Sequence, residues 1–393
     1  MSDQNTKRLV RMRIAVAAFY FGMGITFASW ASRIPDVQQS LGLSDGELGL
    51  ALFAIPAGQL TMMAVSGYLI AKFGSRLTSI VALFLYSAAL WSVSFVDSYT
   101  GLLAGLFFFG TTANMSNIAI NTQAVFLEKL YGRNIMSTFH GLWSMGGLLG
   151  GIIGATFANS TLSLGWHYLT ILFISIVIIL LNRNFLVKEE PQDESDAPAQ
   201  KFKLTSIESL ILVLGFMGFG GMFCEGTVYD WSSVYFAKVV KPDASLIRAG
   251  YIAGMAAMTT GRFLADRFVV KYGPAMVLRV CGGLIVTGLW IAVALPMLIP
   301  AMLGFLLVGF GISSIVPICY SIAGQHSSMK VSTAITLVSS ISFVGFLIGP
   351  PIIGMISELT NLRISLALAA IFGIFIVVLS SKVDRKLHQS EQA

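Results

Sequence analysis

Apolar residues run along this chain in stretches of about 20, and polar residues gather in the short intervals between them. Each stretch is long enough to cross roughly 30 Å of hydrocarbon as a helix. The stretches are apolar on all sides, without the alternation a membrane β-barrel needs. Helices that satisfy their own backbone hydrogen bonds are then the remaining way through lipid. The pattern predicts twelve spans, at residues 14–34, 46–71, 77–97, 99–127, 135–158, 164–182, 207–236, 247–268, 274–296, 298–323, 332–357 and 363–381. One longer polar interval, Asn182 to Ser206, holds Pro191, Pro198 and the acidic run Glu189, Glu190, Asp193, Glu194 and Asp196. It has too little apolar surface to fold alone. It sets an expected organisation of a six-helix bundle at 1–182, a cytoplasmic linker at 183–206 and a second six-helix bundle at 207–393.

Composition sharpens this reading. The 393 residues are 55% hydrophobic and 11% charged, against about 25% charged in a soluble domain. Cys224, Cys281 and Cys319 lie inside apolar stretches, where they read as small buried hydrophobes and not as a disulfide set. The polar, basic segment Met1–Arg13 precedes an apolar stretch without a small-residue cleavage site, so the first helix is expected to be retained.

The net charge of +6 would suit nucleic acid if it were concentrated. Instead it is dispersed over Lys7/Arg8/Arg11/Arg13, Lys72/Arg76, Lys129/Arg133, Lys201/Lys203 and Lys382/Arg385/Lys386. With both termini cytoplasmic, 20 of the 25 Lys and Arg fall on that side, leaving Arg33, Lys238, Lys241, Arg248 and Arg363 outside. This is the positive-inside asymmetry, and no nucleic-acid partner is expected.

The two halves repeat. Trp30 precedes Gly49 by 19 residues, as Trp231 precedes Gly250. Gly105-Leu-Phe-Phe-Phe-Gly110 mirrors Gly304-Phe-Leu-Leu-Val-Gly309, and Gly150-Gly-Ile-Ile-Gly154 mirrors Pro350-Pro-Ile-Ile-Gly354. The offsets agree at 199 to 201 residues. A parallel repeat of this kind points to a substrate site at the interface of the halves, near the membrane midplane.

Two segments carry a family resemblance: Gly67-Tyr-Leu-Ile-Ala71-Lys72-Phe-Gly74-Ser-Arg76, and its counterpart Gly261-Arg262-Phe-Leu-Ala-Asp266-Arg267. Over essentially its full length the chain resembles the major facilitator superfamily. The first segment departs from the family signature at Ala71, where the family has an acid that helps latch the halves. The second keeps an acid, Asp266, one position late. Trp30-Ala-Ser-Arg33-Ile-Pro-Asp36 and Asp230-Trp231-Ser232 are similar to the MosC-like group, which implies small polar, sugar-like solutes. The glycines after His140 (Gly141, Gly146, Gly147, Gly150, Gly151, Gly154) resemble an antiporter signature, but Gly151 stands where a proline is expected.

Candidate chemistry lies inside the spans. Glu225 sits in the seventh, where an unpaired acid costs roughly 3 kcal/mol by insertion scales. It reads as a proton-coupling or substrate-binding carboxylate, since burial favours the neutral form of an acid; the structural alternative is a neutral acid bonded to a neighbouring helix. Asp230 could bind solute or face periplasmic water. Trp30 and Trp231 could stack on a sugar ring, or anchor the interface. Asn114, Asn117 and Asn121 share one helix face, and amides both donate to and accept from hydroxyls; the alternative is interhelical glue. His140 reads as a solvated histidine near the cytoplasmic end. The glycines Gly218, Gly220 and Gly221 could let the seventh span bend, or pack it closely. At the cytoplasmic mouth Lys72, Arg76, Glu128, Arg133, Arg262, Asp266 and Arg267 are expected to form an ion-pair network that opens and closes with access; the alternative for the basic members is headgroup contact.

No P-loop and no metal-ligand spacing occurs, so neither direct ATP drive, nor a cofactor, nor an enzyme is expected. The reading is an all-α membrane protein of two pseudo-symmetric six-helix bundles: a monomeric secondary transporter in a bacterial inner membrane, working by alternating access with protons as the coupling ion. Its expected ligand is a small polyhydroxylated solute held between the Asn114/Asn117/Asn121 face and Glu225, Asp230 and Trp231. A proton-driven exporter of amphipathic cations and a non-transporting sensor or scaffold of the same fold are the alternatives.

Overall fold

The computed structural model describes residues 3–132, 135–188, 208–326, 329 and 331–392. The described chain is helical, with no strand among the described residues. Its helices are α1 (Asp3–Ala31), α2 (Ile34–Leu41), α3 (Asp45–Val93), α4 (Tyr99–Tyr131), α5 (Met136–Ala158), α6 (Leu164–Asn182), α7 (Ser209–Tyr235), α8 (Ala249–Tyr272), α9 (Pro274–Ala294), α10 (Leu298–Ile312), α11 (Ile315–His326), α12 (Val331–Leu359) and α13 (Leu362–Gln392). Ten stretches among the described residues are long and apolar enough to cross a membrane. The two remaining expected spans, 46–71 and 247–268, are helical as the first part of α3 and as α8. The protein is therefore a multi-pass integral membrane protein.

The ends follow ordinary chain chemistry. Ser98 caps α4 by accepting from the Gly101 amide at 3.3 Å, and Gly132 stops it in the left-handed region at φ 65°, which a glycine adopts without a Cβ penalty. Proline opens α2 and α9, where its missing N–H is not needed. The short α2 escaped the hydropathy pattern because it is amphipathic and only 8 residues long. The span at 298–323 is interrupted at Ser313–Ser314, between α10 and α11. A five-residue π-helix, Phe236–Val240, extends α7.

Two compact units form. One comprises Met1–Leu43 and Ala51–Glu194, the other Ser44–Leu50 and Ser195–Ala393. In the first, α1 packs chiefly on α5. An added Cβ at Gly150 would come within 2.7 Å of the Ile25 carbonyl and 2.8 Å of the Ala28 Cβ, so the two backbones approach as only small residues allow. In the second, α7 packs chiefly on α12, and a Cβ at Gly218 would stand 3.0 Å from the Ser342 Cβ. The glycines of α7 thus serve close packing. Residues 44–50 belong to the second unit, where Asp45 accepts from Lys238 Nζ and from Ser357 Oγ.

The repeat is visible in the backbone. Gly74 breaks α3 at φ 78°, ψ 152°, and Gly273, 199 residues later, joins α8 to α9 at φ 77°, ψ 155°. No other residue type adopts that conformation readily. The same turn therefore separates the second and third spans of each half.

Candidate functional site

The first unit gathers an uncharged polar cluster. Three asparagines at i, i+3 and i+7 share one side of α4. Asn117 is exposed, while Asn114 and Asn121 are half-buried. Asn121 donates through Nδ2 to the Asn117 side-chain oxygen, and also to the Asn117 carbonyl at 2.8 Å. Its own side-chain oxygen accepts from the Tyr20 hydroxyl at 2.6 Å. Asn114 accepts from Ser66 Oγ at 3.0 Å. Tyr20 is fixed by stacking on Phe139, with ring centroids 5.4 Å apart, and its hydroxyl lies 3.7 Å from the Met136 sulfur. His140 is exposed and meets Tyr20 edge-on at 5.5 Å. Asn117 is exposed, and an amide can both donate to and accept from a ligand hydroxyl.

The second unit holds a charged cluster. Glu225 Oε1 accepts from the Tyr229 hydroxyl at 2.7 Å, one turn along α7, and pairs with Arg262 Nη2 at 3.0 Å. The side chains of Arg262 and Glu225 are 20% and 10% exposed. The Tyr229 hydroxyl lies 3.6 Å from the Met258 sulfur. An acid inside a span needs such partners, because an unpaired buried charge is costly. Asp230, five residues on, is buried, and Tyr251 is its electrostatic neighbour.

Several expectations meet a different structure. Trp30 and Trp231 are both 0% exposed, and among the described residues neither indole N–H finds a partner. Trp30 packs against Phe109, with centroids 6.5 Å apart. Neither ring offers a free face to a sugar in this structure; bulky aromatics at repeat positions are here core. Arg262, expected in the network at the mouth, pairs with Glu225. Glu128, expected in the same network, accepts from the amides of Ile135 and Met136 at 2.9 and 3.0 Å. It supplies acceptors to the open N-terminus of α5, which has no side-chain cap of its own. Arg76 donates through Nε to the Arg183 carbonyl at 3.0 Å. Lys72 is exposed and lies over the rings of Tyr68 and Phe73 at 5.6 and 5.3 Å. Arg267 is exposed. Arg133 and the side chain of Asp266 lie outside the described residues.

The segment after α6 carries a feature that its polar composition hid. Leu186 and Val187 are buried. Gln123 holds them, accepting from the Val187 amide at 2.7 Å and donating to the Val187 carbonyl at 3.2 Å and to Ser75 Oγ at 2.7 Å. No group of His, Cys, Asp and Glu able to hold a metal occurs among the described residues.

With this geometry in view, residues 14–328 match the sequence profile described as Major Facilitator Superfamily. An uncharacterized MFS-type transporter of Yersinia pestis is 30% identical over 96% of this chain and 97% of its own length. The membrane protein MosC of Rhizobium meliloti is 30% identical over 96% of this chain and 91% of its own. Among solved structures, the nucleoside transporter NupG superposes with a TM-score of 0.77 at 12% identity, covering 95% of this chain and 99% of that one. A D-xylose-proton symporter gives 0.73 at 14% identity, covering 94% and 96%.

Proposed function

This chain belongs to the major facilitator superfamily and is a transporter; from that premise we propose that it carries a small, polyhydroxylated, sugar-like solute, coupled to protons through Glu225. The observation that carries the proposal is the Tyr229–Glu225–Arg262 cluster: a carboxylate inside a membrane span, held at 2.7 and 3.0 Å by one neutral and one charged donor. Protonation removes the charge on Glu225, and with it the attraction to Arg262. The guanidinium stays charged and is then held less tightly to α7. One proton thereby changes which groups α8 and α7 present to each other, a two-position element of the kind that alternating access requires. Asn114, Asn117 and Asn121 would supply solute hydrogen bonds from the first unit, and Asp230 would add an acceptor in the second. Lys72, Arg76 and Arg267 would serve the mouth. The fold it shares with a nucleoside transporter and with D-xylose and fucose proton symporters agrees with this solute class. The protein would act as a monomer in a bacterial inner membrane with both termini cytoplasmic.

A purified sample is first screened by thermal unfolding against sugars, polyols, amino sugars and organic cations; a folded-state ligand at 100 times its dissociation constant stabilises by about 2.7 kcal/mol. The best solute is then followed into proteoliposomes with and without a pH gradient. Gradient-dependent accumulation that is lost in Glu225→Gln supports the reading. Full accumulation in that variant would remove Glu225 from coupling. A shift with lipophilic cations alone would replace a sugar-like solute by export of amphipathic cations. The pairing of Glu225 with Arg262 argues against that reading, since the carboxylate already has its cation.

A further inference from the structure

A concave site lies in the first unit where the chain enters α1 and leaves α6. A cavity of about 440 Å³ is lined there by Lys7, Arg8, Arg11 and Lys188, with Met12, Phe185 and Leu186 as its apolar part. No acidic residue is among its lining residues. The side chains of Arg8, Arg11 and Lys188 are exposed, and among the described residues none of the three reaches a carboxylate. Arg11 instead stands over the Phe185 ring, 5.8 Å from its centroid.

Positive charge at such a place has an ordinary explanation, in that it orients the chain during insertion. Orientation alone requires neither a concavity nor a second strand of chain to complete it. Here the wall from residues 184–188 is held rigidly. Gln123 clamps Val187 by two hydrogen bonds, and Leu186 and Val187 are buried. Lys188 is therefore presented across the cavity from the α1 cations by a fixed piece of backbone. Three arginines elsewhere bond to the protein itself: Arg76 to the Arg183 carbonyl, Arg262 to Glu225, and Arg279 to Ser380 and Ser381. At this cavity Arg8, Arg11 and Lys188 line one concave surface with exposed side chains.

We infer that this cavity binds the phosphate headgroup of an anionic phospholipid. Arginine presents a planar fork matched to phosphate oxygens, and lysine adds a point charge. Basic pockets beside transmembrane helices recognise lipid headgroups by this chemistry. Met12, Phe185 and Leu186 give the glycerol and upper acyl region an apolar surface that a free ion would not use.

Purified full-length protein in neutral detergent is titrated with phosphatidylglycerol, with phosphatidylcholine of the same acyl chains, and with inorganic phosphate, while the unfolding midpoint is followed. Phosphatidylglycerol is expected to raise the midpoint and phosphatidylcholine to leave it unchanged. The apparent affinity for phosphatidylglycerol is expected to fall at least about tenfold in Arg8→Gln/Arg11→Gln/Lys188→Gln, since each cation near an anionic lipid contributes appreciably. Removing as many charges elsewhere, in Lys271→Gln/Lys382→Gln/Arg385→Gln, should leave the affinity unchanged. Equal loss in the two triple variants, or an equal shift with phosphatidylcholine, overturns the site. A shift reproduced in full by inorganic phosphate assigns the cavity to a soluble phosphate and overturns the lipid. If the triple variant does not fold, the single variants Arg8→Gln and Lys188→Gln are compared by native mass spectrometry. Fewer retained phosphatidylglycerol molecules than in the unmodified protein support the site, and an unchanged number overturns it.

Discussion

The two halves of this transporter descend from one repeated plan, yet their polar interiors are built from different chemistry. In the first unit a tyrosine hydroxyl donates to an amide, and the amides bond one another: Tyr20 to Asn121 at 2.6 Å, and Asn121 to Asn117. In the second a tyrosine hydroxyl donates to a carboxylate, which also holds an arginine: Tyr229 to Glu225 at 2.7 Å, and Arg262 to Glu225 at 3.0 Å. Each hydroxyl rests near a methionine sulfur, at 3.7 and 3.6 Å. The neutral cluster can rearrange its donors and acceptors around a hydroxyl-rich guest without separating charge. The charged cluster cannot, and changes only when a proton arrives or leaves. On the function proposed above, the contrast would separate solute recognition from energy coupling.

The sharpest way to break this division is Glu225→Gln. Accumulation driven by a pH gradient should be abolished while solute binding by thermal shift is kept. If solute binding is lost as well, Glu225 belongs to recognition and the division fails. Arg262→Gln comes next. It leaves the Glu225 carboxylate without its cation inside a span, which should cost on the order of 3 kcal/mol of stability, read as a fall in the unfolding midpoint. The double variant Glu225→Gln/Arg262→Gln should recover much of that loss, because paired residues are not additive; simple additivity would show that the pair is not coupled. Asn117→Ala should weaken solute affinity by roughly tenfold, near the value of one or two hydrogen bonds, with the pH dependence of transport unchanged. The smallest effects belong to the hydroxyls. Tyr20→Phe and Tyr229→Phe should each cost about 1 kcal/mol, the first visible in solute affinity and the second in the pH profile of uptake. An exchange of those two readouts would dissolve the comparison.

Hydropathy made most of the fold legible, because a spanning helix in lipid has to be apolar along its whole length. The repeat was legible too, in glycine and tryptophan spacings. What the pattern could not resolve were breaks without a polar interval, such as Ser313–Ser314 and the lone Gly74 within α3. In the candidate site, Glu225 stood out as an acid within an apolar run. Tyr229 was available by the i, i+4 rule and went unread. Its third member, Arg262, lies 37 residues on, in a segment whose loop signature drew attention to the mouth. Tyr20 and Asn121, 101 residues apart, meet only through packing of α1 beside α4, and no local spacing announces that. The bonds from the Ile135 and Met136 amides to Glu128, seven and eight residues back, were not legible either, because nothing in a lone acid among cations announces a backbone partner.

The single-residue joint at Gly74 bears on how the protein is made. The chain leaves one membrane-crossing helix and begins the next within one glycine, flanked by Lys72 and Arg76. No loop separates the two helices there, so insertion of the pair as one hairpin is the expected course. The flanking cations would then orient both helices in a single step, and Gly273 would do the same for α8 and α9.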